Sequence, residues 1–244
     1  STADSLKISV NGSFGKLGSK YSALYAPELL IQTTITGQLC LLMLIERMEL
    51  AGVSVVSANT DGIVIHTSEQ KADVIEEVAF DWMMSTSYEL ERTDYTAVAS
   101  RDVNTYVAVK PDGKCKGKGA FASGGLMKNP DLPIIYSAVA RYVADGTPLE
   151  DTIRQCDDIL QFVIVRRVQG GAIWRGQLLG KAVRYYYSSQ VPENECIEYA
   201  KNSNRVPKSA GAKPLMDLPD EFPSDIDYQT YIVAAEKLMC EVGL

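Results

Sequence analysis

Val53-Ser-Val-Val-Ser57, Ala58-Asn59-Thr60-Asp61-Gly62 and Ile63-Val-Ile-His66 follow one another and decide how the chain is read. Two short runs rich in β-branched residues flank a cluster of Asn, Thr, Asp and Gly. Such residues close turns because their side chains bond the local backbone or tolerate unusual φ. The pattern predicts a β-hairpin whose tip carries one carboxylate and one amide. Upstream, Thr33 to Leu50 is almost continuously apolar, with Ile35, Leu39, Leu42, Met43 and Met48 joined by Leu41, Leu44 and Ile45. So few polar positions predict a largely buried helix, stopped by Gly52.

Working outward, Glu69 to Tyr88 reads as a helix and Tyr95 to Phe121 as strands, with a turn at Pro111-Asp112-Gly113. Asn129-Pro130 marks a boundary. Beyond it Ile134 to Val143 and Pro148 to Phe162 read as helices, the second capped by Thr147 with Pro148 in its first turn. Shorter strands are expected at Val163 to Val168 and Ala182 to Ser188, an irregular loop at Tyr199 to Pro219, and a closing helix at Tyr228 to Val242. The fold class is α+β: an antiparallel sheet with helices in 1–128, then a mainly helical region in 129–244.

The chain has 244 residues, 46% of them hydrophobic, enough for one large or two small cores. A formal charge of -7 argues against a general polyanion binder, since neutralising phosphates takes Lys and Arg. The charge is unevenly spread, however. Arg101, Lys110, Lys114, Lys116, Lys118 and Lys128 form one basic stretch, and Lys201 to Lys213 another that holds no acid. A nucleic-acid groove on an acidic body is compatible with this balance. Cys40, Cys115, Cys156, Cys196 and Cys240 form no C-x-x-C pair and His66 is the sole histidine, which argues against a disulfide framework or a structural zinc site and suits a reducing cytoplasm. No apolar run was expected to be long enough to span a bilayer, so the expectation is a soluble, cytoplasmic protein.

Lys7-Ile-Ser-Val-Asn11-Gly12-Ser13-Phe14-Gly15 places a lysine and an asparagine four apart on one helix face, ahead of a glycine-containing turn. Lysine is a cationic donor for phosphate oxygens, the amide can brace a sugar edge, and the ring can lie on a base pair. Asn59-Thr60-Asp61 offers a carboxylate, an amide oxygen and a carbonyl, the hard oxygen donors that Mg2+ prefers. Taken alone, each pattern is also that of a solvated helix end or an ordinary turn.

Taken in order, K-x-x-x-N-G-x-F-G, then Ile35-Thr36-Gly37-Gln38, then the apolar helix, then the N-T-D-G hairpin, the chain resembles family B, phage-like DNA polymerases. The resemblance implies a palm in 1–128, a thumb in 129–244, and transfer of dNTPs to a primer 3′-hydroxyl with two Mg2+ ions. It implies that Lys7 binds the triphosphate, Asn11 supports the nucleotide pocket, and Phe14 with Gly15 lies against the nascent base pair. Asp61 then corresponds to the family's more important metal ligand, beside Thr60 and Asn59. Tyr106, Lys114, Lys116, Gly117 and Lys118 would face the primer-template. Arg166-Arg167, Trp174, Arg184 to Tyr187 and Val206 to Ser209 are similar to the thumb region.

Two departures qualify these implications. Asn59 stands where the family carries an aspartate, and an amide holds a divalent cation more weakly. The family's D-x-x-S-L-Y-P-S motif, whose aspartate shares both metals, is nowhere in the chain. Two-metal phosphoryl transfer needs that second carboxylate. The expectation is therefore the C-terminal part of a truncated or split polymerase, inactive alone and partnered by a segment carrying the first palm and exonuclease motifs. The alternative is a non-catalytic DNA-binding or assembly subunit.

Overall fold

The computed structural model describes residues 2–122 and 131–244. The chain divides into two compact units, Ser1–Arg92 and Thr93–Leu244. The boundary expected at Asn129-Pro130 lies outside the described residues, as does Lys128.

In the first unit, α1 (Thr2–Leu17) and α2 (Pro27–Leu50) precede β1 (Ser54–Asn59), β2 (Gly62–His66) and α3 (Ala72–Thr86). Pro27 opens α2 with Glu28 in its first turn, suiting the dipole, and Gly52 at φ +73° ends it as expected. The C-terminal turns of α2 pack with the hairpin and α3 around Leu44, Met48, Val53, Ile75 and Trp82. Val55, Ile63 and Ile65, alternate residues of the two strands, supply the hairpin's inner side. The Trp82 indole Nε1 donates to the Cys40 carbonyl at 2.7 Å, tying α3 to α2.

Three expectations need correction here. First, α2 is not largely buried: only Leu44 and Met48 are, whereas Ile31 is 57% and Leu39 59% exposed. A 24-residue helix spans roughly 36 Å, longer than the short strands and α3 can cover. Second, α2 contains an 18-residue window of mean hydropathy 1.5, so by length and composition alone it is a helix that could cross a membrane, against the expectation that no apolar run is long enough. Third, Gly12 and Gly15 do not form a turn. α1 runs through both to Leu17, because glycine costs a helix only about 1 kcal/mol, too little to stop one that its neighbours favour.

The second unit holds two antiparallel sheets. β3 (Ala97–Asp102), β4 (Thr105–Val109) and β5 (Cys115–Lys118) form a meander in the order β3-β4-β5. The β4–β5 connection is as expected: Gly113 N–H bonds the Lys110 carbonyl at 2.9 Å, with Pro111 and Asp112 at the corner and Gly113 at φ +79°. α4 (Pro133–Asp145) and α5 (Leu149–Arg154) follow, then β6 (Ile164–Trp174), β7 (Gln177–Tyr187), β8 (Glu198–Tyr199), β9 (Ala212–Pro214) and α6 (Tyr228–Glu241). The second sheet is ordered β8-β6-β7-β9.

This corrects the expectation of a mainly helical region, since two 11-residue strands lie at its centre. The helix expected over Pro148 to Phe162 is also corrected. It ends at Arg154, with Pro148 rather than Thr147 at its cap, and resumes only as a 3-10 turn at Ile159–Phe162. Asp158 caps that turn by accepting from Leu160 N–H at 3.0 Å, so the local carboxylate outcompetes helix continuation. The core gathers Ile135, Val139 and Ile153 with Phe162, Tyr185 and Tyr231. Tyr231 OH donates to the Phe162 carbonyl at 2.9 Å and accepts from Tyr187 N–H at 2.8 Å. Trp174, at the end of β6, carries the Arg175 guanidinium over its ring at 4.4 Å. All five cysteines are unpaired.

Candidate functional site

The tip of the first hairpin is set by pairing of Asn59 with Gly62, which leaves Thr60 and Asp61 as its two-residue loop. Neither takes a positive φ, so the loop does not use the mirror-image turns that usually close such hairpins. A register shift between Val55 and Ser57 accompanies it. Asp61 is exposed, as the sequence reading requires of a ligand, and bonds no cation of the described residues. Asn59 is committed differently. Its Oδ1 accepts from Thr60 N–H at 2.7 Å and from the Thr60 hydroxyl at 3.2 Å. The amide oxygen is thus turned onto its own backbone. The tip offers a divalent cation the Asp61 carboxylate and the Thr60 carbonyl, and no three His, Cys, Asp or Glu converge anywhere among the described residues.

Lys7, Asn11 and Phe14 lie on α1, all exposed, at a spacing that puts them along one flank. Gly15, expected against a base pair, follows Phe14 directly on the same helix, and a Cβ there would meet nothing within 4 Å. No hydrogen bond or ion pair joins Lys7 to Asp61. α1 is tied to the start of α2, where Ala26 N–H bonds the Leu17 carbonyl at 3.0 Å and Gly18 leaves room for Leu30. A groove in this unit lies elsewhere, between α2 and α3, lined by Arg47, Leu50, Val78, Asp81, Met84 and Ser85.

The second candidate surface is the β4–β5 ladder. Its register sets Tyr106 opposite Lys118 and Ala108 opposite Lys116. Residues two apart share a face, so Tyr106, Lys116 and Lys118 stand together on one side. The Lys118 ammonium lies 6.0 Å from the centre of the Tyr106 ring. Val107 and Ala99 point the other way, into the core. Lys116 and Lys118 pair with no carboxylate of the described residues, whereas Lys114 is held by Asp112 at 2.9 Å. Lys114 is the member of the expected set that the protein itself already neutralises.

Gly117 has a structural reason to be glycine. A Cβ there would overlap the backbone carbonyl of Phe121 and stand 3.0 Å from the Phe121 Cβ, because the 3-10 turn at Gly119–Phe121 folds directly over the strand. Gly119, at φ +67°, makes that turn against Asn104 and Thr105.

Sequence reading missed two carboxylate clusters in the second unit, because each joins residues far apart in the chain. Asp131 binds Arg166 at 3.0 Å and Lys208 at 3.0 Å. Burial pushes its carboxyl up, but hydrogen bonds from Lys208 and Arg166 outweigh that and hold it below the usual range. Asp225 is buried and accepts from Ser188 Oγ at 2.7 Å, Lys213 Nζ at 2.8 Å and Tyr186 OH at 2.9 Å. There too desolvation raises the pKa and the three donors together lower it further. Both oxygens of each carboxylate accept hydrogen bonds from the protein, so both clusters fasten the sheet and its loops. No protein-family model matches this chain, and no curated protein matches it.

Proposed function

We propose that the chain is part of a family B-like, template-directed DNA polymerase, contributing palm and thumb elements to the addition of dNTPs to a primer 3′-hydroxyl. The observation that carries this reading is the ordered series from Lys7 through Ile35-Thr-Gly-Gln38 to a hairpin with Asp61 at its solvent-facing tip. Lys7 neutralises triphosphate charge, Asn11 braces the nucleotide pocket, and Phe14 and Gly15 meet the nascent base pair. Tyr106, Lys116 and Lys118 hold the duplex by stacking and phosphate contact, with Lys114 a weaker contributor and Gly117 supporting the strand.

Asp61 and the Thr60 carbonyl fit a share of a Mg2+ site. They do not complete one, and Asn59 adds little while its oxygen is bonded to Thr60. The remaining carboxylate belongs, on this proposal, to a partner segment bearing the first palm motif. Bound Mg2+ would supply stabilisation of the charge that develops on the transferred phosphoryl group.

The test is primer extension by this chain mixed with a family B segment bearing the D-x-x-S-L-Y-P-S and exonuclease motifs. Neither part should extend a primer alone. Asp61→Ala should abolish extension by the mixture, and Lys7→Ala should chiefly raise the KM for dNTP. Near-normal extension by the Asp61→Ala mixture would refute the assignment. A second reading, a non-catalytic DNA-binding or assembly subunit, is favoured by the self-bonded Asn59 amide. It predicts duplex binding that falls steeply with salt yet ignores Mg2+ and dNTP.

A further inference from the structure

We infer that the outer side of the β6–β7 ladder is a binding site for phosphate oxygens, built where a wide bulge in β6 opens a basic groove beside Lys181. The inference rests on the second unit alone and does not depend on the role of Asp61.

The bulge is read from the register. Arg167 pairs with Ala182, and the next pair is Ala172 with Gly180. Val168, Gln169, Gly170 and Gly171 therefore face Lys181 alone. An ordinary bulge adds one residue to one strand. Gly170 at φ +84° and Gly171 at φ +91° let the extra chain be taken up in a conformation that other residues rarely adopt. The result is a groove of about 340 Å³ lined by Arg167, Val168, Gln169, Lys181 and Ala182. Arg184, opposite Val165, is two residues from Ala182 and so shares the outer face with Arg167. Lys201 stands beside the bulge, its Cβ 3.8 Å from where a Gly170 Cβ would lie.

The charge pattern gives the ligand its sign. Elsewhere in this unit several cations, exposed ones among them, find carboxylates: Arg166 and Lys208 bind Asp131, Arg175 binds Glu195, and Lys213 binds Asp225. Arg167, Lys181, Arg184 and Lys201 are exposed and pair with no carboxylate of the described residues, and residues 123–130 contain no Asp or Glu. Arg167 and Lys181 line the groove together, with Arg184 on the Arg167 face and Lys201 beside Gly170, and like charges brought this close repel one another unless an anion joins them. The donors present are a planar guanidinium fork, ammonium groups and the Gln169 amide, which suit the spread oxygens of a phosphate. Glycines at the bulge keep side chains out of the way of close backbone approach. A phosphodiester backbone and a free polyphosphate present the same oxygens, and the experiment separates them.

The full chain and its Arg167→Gln/Lys181→Gln variant would be titrated with a fluorescein-labelled single-stranded oligonucleotide and, separately, with inorganic tripolyphosphate. Both side chains are exposed, so circular dichroism should be unchanged. Each lost phosphate contact should reduce the log–log salt slope for the oligonucleotide by about 0.7, or about 1.4 in all. Tripolyphosphate affinity should fall about tenfold if the groove takes a compact ligand. Loss of oligonucleotide binding alone assigns the groove to a nucleic-acid backbone, and loss of both assigns it to a free phosphate compound. Lys237→Gln, which removes an exposed cation on α6, should change neither. The inference is overturned if wild type binds neither probe, if the double variant binds both as wild type does, or if Lys237→Gln weakens binding as much.

Discussion

Replacing Gly117 by alanine separates a structural from a ligand-contacting role for the Lys116-Gly117-Lys118 segment. The added methyl would overlap the Phe121 carbonyl and press on the Phe121 Cβ at 3.0 Å. The obstacle is backbone, held by the Ala122 N–H to Gly119 carbonyl bond at 3.3 Å and by Gly119 itself at φ +67°, so it cannot swing aside as a long side chain would. Overpacking typically costs about 1–3 kcal/mol, and a backbone obstacle places this case near the upper end, about 3 kcal/mol. For a body of this size each kcal/mol moves Tm by about 2–4 °C, giving a fall of about 6–12 °C. Thermal denaturation followed by circular dichroism measures it. A Tm within about 2 °C of wild type, outside the lower end expected for even 1 kcal/mol, would refute the packing account. If duplex binding were nonetheless lost in that variant, the glycine would instead be needed where the chain meets its ligand.

Three further outcomes follow from the second unit. Tyr231→Phe strands the Tyr187 N–H and the Phe162 carbonyl in the core, which should cost about 3 kcal/mol in urea unfolding. Asp225 has a folded pKa below its unfolded value of about 3.9, so the unfolded chain binds more protons in acid. Its contribution is complete above that pH and is lost as pH falls through the depressed folded value. Asp225→Asn should therefore be less stable at neutral pH and show a shallower loss of stability below about pH 4. Replacing Lys116 and Lys118 together by glutamine should lower the salt slope of duplex binding by about 1.8, measured by anisotropy, with no change in Tm.

The elements that were legible in the sequence are those whose signals are local. The hairpin at Ser54–His66, the turn at Pro111-Asp112-Gly113 and the closing helix all follow from residues within a few positions of one another. What was not legible depends on distance or on glycine. β6 and β7 are longer than alternation suggested because Gly170, Gly171 and Gly180 interrupt the pattern without ending the strands. The ties from Asp131 to Lys208 and from Tyr186 to Asp225 span 77 and 39 positions, beyond any periodicity. The apolar character of α2 is plain in its composition, yet composition cannot reveal how much neighbouring chain there is to cover a helix. At the candidate site, the exposure of Asp61 followed from its place at a turn. The self-bonding of Asn59 did not, since it depends on a rotamer.

The placement of the two tryptophans gives each unit its own optical reporter. Trp82 sits in the first core with its indole bonded to a carbonyl, and Trp174 lies in the second under a guanidinium. Their emission should differ in wavelength and in sensitivity to quenchers. A chain with phenylalanine at one of the two positions would therefore let denaturation of either half be watched by fluorescence without cutting the polypeptide.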